Sequence, residues 1–121
     1  MRVLKLNTNA FVKIDEVSTL PFLLELQAKA NQIASVDFLA SGRETLAHLQ
    51  KVDLTTNKIT ALPQIVANSL RSLVVDENEI AKIDFAGHLS LEILSMNKNQ
   101  MTNCHGLASL KALTSLQMQE N

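Results

Sequence analysis

The sequence predicts an α/β solenoid. In this right-handed coil about six short parallel strands form a concave sheet, and 3₁₀, irregular or short helical segments form the convex side. Three observations lead there. Asparagine recurs at Asn9, Asn31, Asn57, Asn78, Asn99 and Asn121, with gaps of 22, 26, 21, 21 and 22 residues. Aliphatic residues stand three and five positions before every one of them, and usually another stands two positions after. A fixed period of this length marks stacked copies of one small unit, each burying its apolar face only against its neighbours.

Within a unit, alternation such as Leu73, Val75 or Leu94, Met96 puts two side chains on one face of a short strand, while the residues between them face the other way. The asparagine then closes the strand with a tight bend. Its amide can bond backbone groups of its own turn and of the neighbouring one, so stacking identical copies satisfies a buried polar group. After the asparagine, apolar residues recur every third position: Ile59, Leu62, Ile65; Ile80, Ile83, Ala86; Met101, Cys104, Leu107. That spacing suits an apolar-inward arc on the outer side of the coil.

In chain order, the first unit is marked by Leu4, Leu6, Asn9 and Phe11, and the second by the run from Leu20 to Ile33, in which Ala28 takes a position usually held by a larger residue. The long gap from Asn31 to Asn57 holds about four extra residues near Ser41-Gly-Arg-Glu44. Ser41 followed by Glu44 is a capping-box pattern, so the insertion is expected to start a convex helix of about two turns. Its plain reading is a tolerated surface insertion, which is favoured over a partner-contact bump. The next three units are the clearest: Leu49-Gln-Lys-Val52-Asp-Leu54-Thr-Thr-Asn57-Lys-Ile59, Leu70-Arg-Ser-Leu73-Val-Val75-Asp-Glu-Asn78-Glu-Ile80 and Leu91-Glu-Ile-Leu94-Ser-Met96-Asn-Lys-Asn99-Gln-Met101. Leu113, Leu116, Met118 and Asn121 mark the last. Met96, Met101, Met118 and Phe11 replace smaller aliphatics and are expected to fill the same apolar sites.

These units resemble the leucine-rich repeat, across nearly the whole chain. At 21 or 22 residues the units have little room for a full helix. The class resembled is therefore the short one of type 1 phosphatase regulators, an axonemal dynein light chain and other intracellular scaffolds. The run Leu20-Pro-Phe-Leu23-Leu-Glu-Leu26-Gln-Ala-Lys-Ala-Asn31-Gln-Ile33 is similar to a repeat of ciliary proteins associated with radial spokes. That resemblance implies a structural part of a large assembly such as the axoneme. The phosphatase regulators imply the alternative, a cytosolic regulatory subunit. Residues 1–121 are expected to be one solenoid of about five and a half repeats, uncapped at both ends and part of a longer chain.

With 46% hydrophobic, 3% aromatic and 19% charged residues and a net charge of −1, the composition fits a cytoplasmic solenoid. No apolar stretch reaches the roughly 20 residues that span a bilayer. A single cysteine excludes an internal disulfide. Cys104-His105 is the one pair with a chemical look, but Cys104 falls five residues after Asn99, in phase with Ile14, Val36, Leu62 and Ile83, and so reads as a core residue. His48 and His88 have no third ligand at zinc-like spacing, and no glycine-rich phosphate loop exists. The expectation is a non-enzymatic chain with no cofactor and no metal.

Function is then expected on the concave strand face, for a protein partner that lies there and also at the open ends, within a larger complex. The partner-facing candidates are Lys29, Lys51, Asp53, Thr55, Val74, Asp76, Glu77, Ile93, Ser95, Asn97 and Gln117. Val74 and Ile93 break an otherwise polar grid and have acids nearby, so they form a candidate anchor. Scattered surface aliphatics are, however, ordinary on strands. Mixed charge and few aromatics argue against a nucleic-acid stripe.

Overall fold

A computed structural model describes residues 2–40, 46–65, 68–83, 85, 90–103 and 106–121. Ser41 to Glu44, where the convex helix is expected to begin, lie outside these residues, as do Ala86, His88, Cys104 and His105.

Six strands follow one another in a single sheet: β1 Val3–Lys5, β2 Glu25–Gln27, β3 Lys51–Asp53, β4 Ser72–Val74, β5 Ile93–Ser95 and β6 Ser115–Gln117. Each pairs in parallel with the next, and the register never slips. Leu4, Leu26, Val52, Leu73, Leu94 and Leu116 form one row. Constant register follows from constant phase, because a shift of one residue would turn every inward leucine out to water. The convex side carries 3₁₀ helices at Asp15–Thr19 and Asp37–Leu39, as a unit this short requires.

The core is the space between sheet and arc. Leu26, Val52, Leu73 and Leu94 lie in it with Ala28, Leu54, Val75 and Met96, all buried. Ile59, Leu62 and Ile65 close it from the convex side. Burying each leucine or isoleucine is worth about 1.5–3 kcal/mol. Ala28, short as it is, is fully enclosed, and its carbonyl receives the Asn57 amide at 3.0 Å. Phe11 departs from expectation: it is 40% exposed, because its ring has packed repeats on one side only.

The asparagines form the expected rungs. The side-chain amide of Asn78 donates to the carbonyls of Val75 (3.0 Å) and Asp76 (3.1 Å) in its own turn and of Leu54 (3.0 Å) in the preceding repeat. Its Oδ1 accepts the backbone N–H of Ile59 at 3.1 Å. The same oxygen of Asn31, Asn57, Asn99 and Asn121 takes the N–H of Phe11, Ile33, Ile80 and Met101 at 3.0–3.2 Å. Buried polar groups in a dry core are costly unless bonded, and here each copy satisfies the one beside it.

Every bend also has one residue in the left-handed region, always the residue before the asparagine. These are Thr8, Ala30, Thr56, Glu77, Lys98 and Glu120, with φ between 54° and 59°. None is glycine. A non-glycine residue there costs on the order of 1 kcal/mol, which the rung bonds on either side offset.

Candidate functional site

Strand alternation brings the outward residues into columns across the sheet. Val3, Glu25, Lys51, Ser72, Ile93 and Ser115 form one, and Lys5, Gln27, Asp53, Val74, Ser95 and Gln117 the next. Neighbours in a column lie about 4.8 Å apart. The residues that leave the strands, Asn7, Lys29, Thr55, Asp76, Asn97 and Gln119, continue this surface to the bend.

Of the expected partner-facing residues, several are already committed to the protein itself. Asp53 Oδ1 accepts the N–H and hydroxyl of Thr55 at 3.1 and 2.7 Å, and its Oδ2 meets Lys29 Nζ at 3.3 Å. Asp76 Oδ1 accepts the Ser95 hydroxyl at 2.6 Å and the Asn97 N–H at 2.8 Å. Ser95 is buried beneath this contact. The Asn97 amide donates to Ser95 Oγ at 3.3 Å and to Gln117 Oε1 at 3.2 Å, while its own carbonyl oxygen accepts the Gln119 N–H at 2.8 Å. Asn7 does the same for the Lys29 N–H at 2.8 Å. A second polar ladder therefore runs along the strand exits wherever the residue two before the rung is Asn or Asp. The signal for it was in the sequence, at Asn7, Asp76 and Asn97, in the same phase.

The rest of the grid is freer. Ile93 is 45% exposed and stands between Ser72 and Ser115, small residues on both sides. Val74 is half-buried, diagonal to it on the next strand. Lys51 is exposed and makes no ion pair among the described residues. Glu77 belongs to the bend, not the strand face, and Thr56 donates to its carboxylate at 3.4 Å. The result is an internally bonded polar floor with two exposed aliphatics in one column, Ile93 toward its middle and Val3 on the edge strand β1.

One outward group lay outside this expectation. At the strand-entry rim the rings of Phe22 and His48 stack, with centroids 5.8 Å apart and an interplanar angle of 24°. Aligning the units on Leu23 and Leu49 puts both rings in one column, just before the first core leucine.

No family model matches the sequence. Over 85 residues, 65% of this chain, it is 36% identical to "Leucine-rich repeat serine/threonine-protein kinase 1" of Caenorhabditis elegans. Over 82 residues, 64% of this chain, it is 33% identical to the human "Leucine-rich repeats and immunoglobulin-like domains protein 1". The matched segments span only 4% and 7% of those proteins. Among solved structures, an internalin from Listeria monocytogenes aligns over 89% of this chain and 38% of its own, with TM-score 0.49 and 22% identity. The regular register, the asparagine rungs and the repeats that both curated relatives are named for agree on the fold: this chain is a parallel-strand solenoid coiled in the manner of leucine-rich repeats.

Proposed function

We propose that the chain is a non-enzymatic protein–protein interaction scaffold that holds its partner on the concave strand face, around Ile93 and Val74. The observation that carries this is the exposed Ile93 on a floor whose polar groups are bonded to one another. Such a floor loses little side-chain entropy when a partner docks, and a desolvated aliphatic at its centre supplies the anchor. The partner is a protein and neither nucleic acid nor membrane, since the face carries both signs of charge and its rings lie only at one rim.

The similarity of the Leu20–Ile33 repeat to radial-spoke proteins supports a cytoplasmic setting in a large assembly of the axonemal kind. Retention of the protein in salt-extracted axonemes checks this, and a wholly soluble pool contradicts it. A phosphatase-regulator role would draw on concave acids as partner ligands. Asp53 and Asp76 are engaged internally, which weighs toward the scaffold. The direct test is affinity capture and quantification of the partner with Ile93→Asp and with the convex Gln64→Glu. Loss of about tenfold in affinity with the first alone is expected. Equal effects from both variants, or none from either, would contradict the concave site.

A further inference from the structure

The strand-entry rim of the first repeats carries a feature that the concave patch does not use. In the second repeat Leu23 N–H bonds back to the Leu20 carbonyl at 3.3 Å, closing a tight turn with Pro21 and Phe22 at its tip. Proline fixes the first of those positions, and Leu23 is buried beneath, so Phe22 is held outward by a rigid bend. It is 66% exposed, more than any other large apolar residue among those described. The third repeat makes the same turn, Leu49 N–H to Leu46 carbonyl at 3.3 Å, with His48 in the position of Phe22. That equivalence is why the two rings stack. At the corresponding place of the last repeat, in a turn closed by Leu113 N–H on Leu110, stands Ala112.

Arg2, Phe22, Leu24 and His48 line a cleft of about 170 Å³ here. Beside it stands Lys51, whose N–H bonds the Leu24 carbonyl at 3.1 Å, and among the described residues neither it nor Arg2 makes an ion pair or side-chain hydrogen bond. Glu25 is the acid in this corner; its Oε1 accepts from Gln27 Nε2 at 2.7 Å, and among the described residues it makes no ion pair with these cations. The corner thus combines an exposed stacked ring, a cleft and two cations, Arg2 and Lys51, without an ion pair among the described residues.

We propose that this rim is a docking site for an acidic segment of a protein partner, with a large apolar or aromatic side chain seated against Phe22 and His48 and flanking carboxylates on Arg2 and Lys51. Aromatic and arginine side chains are the usual anchors of such contacts. A ring held by its own turn gives up little freedom on binding, and unpaired surface cations attract the acidic flanks. Its ring pair lies outside the concave face, but Lys51 joins the two, standing two strands from Ile93 in the same column.

The probe is a fluorescently labelled short peptide with one tryptophan among glutamates, titrated by anisotropy against the full chain. A lysine-flanked version and a single-stranded oligothymidine serve as comparisons. Saturable binding of the acidic peptide is expected, weakened at least about fivefold by Phe22→Ala and by Arg2→Gln, weakened by added salt, and unchanged by Gln64→Glu. Far-ultraviolet circular dichroism confirms that each variant is folded; Phe22 and Arg2 are both exposed, so neither change touches the core. Absence of saturable binding, equal binding of the lysine-flanked peptide or the oligonucleotide, or indifference to Phe22→Ala would each overturn the proposal.

Discussion

At Asn78 a single side chain shares its two amide N–H groups among three carbonyls and accepts the N–H of Ile59. Replacing it with alanine leaves those backbone groups in a core with no water to receive them. Asn78→Ala is expected to cost about 3 kcal/mol in urea unfolding, well above a surface change. The residue before it behaves differently. Lys98, at φ 56°, should tolerate glycine, with stability unchanged or raised by up to about 1 kcal/mol, whereas Lys98→Val should lower it by more than about 1 kcal/mol, since a β-branched residue resists that conformation. Unfolding midpoints of the pair check the sign. The rung was legible in the sequence because one residue type repeats at one phase. The left-handed position was not, because Thr8, Ala30, Thr56, Glu77, Lys98 and Glu120 share no side-chain chemistry. Only the bend geometry unites them.

Each strand contributes three residues and pairs along one unbroken register, so what distinguishes one repeat from another is the side chain at the strand exit. Asp76 ties β4 to β5 through Ser95 and the Asn97 N–H. Asp76→Ala is expected to cost about 1–2 kcal/mol, while Asp76→Asn, which keeps an acceptor oxygen in place, should retain most of that stability. Denaturant unfolding of the two variants decides between them. The strands, their inward faces and the 3₁₀ arcs could be read from period and alternation. The phase shared by Asn7, Asp76 and Asn97 carried the second ladder, but the commitments of Asp53 and Ser95 could not be read, because outward direction alone does not say whether a polar group meets water or the next repeat. The Phe22–His48 stack escaped for a related reason: it depends on two identical turns falling one above the other, in a column outside the strand alternation.

As a whole the coil is close to one-dimensional, every strand contacting only the strands before and after it, so stability should be distributed as repeat terms plus neighbour terms. A central truncation must then cost more than a peripheral one. Leu73→Ala, at a fully buried position, is expected to lose about 3–4 kcal/mol, and Leu116→Ala, 44% exposed, about 1 kcal/mol. Thermal or urea unfolding of the two checks this ordering. Asparagine amides are the internal rungs that fix the coil and leave its strand face free to dock. Backbone hydrogen exchange followed by NMR at Ile33, Ile59 and Ile80, whose N–H groups bond Asn57, Asn78 and Asn99 at 3.0–3.1 Å, tests that most directly. Protection comparable to the strand amides is expected at all three, with Asn78→Ala releasing Ile59 first. Exchange of these amides at the rate of open loops in the unaltered protein would contradict the rungs, and with them the coil built on them.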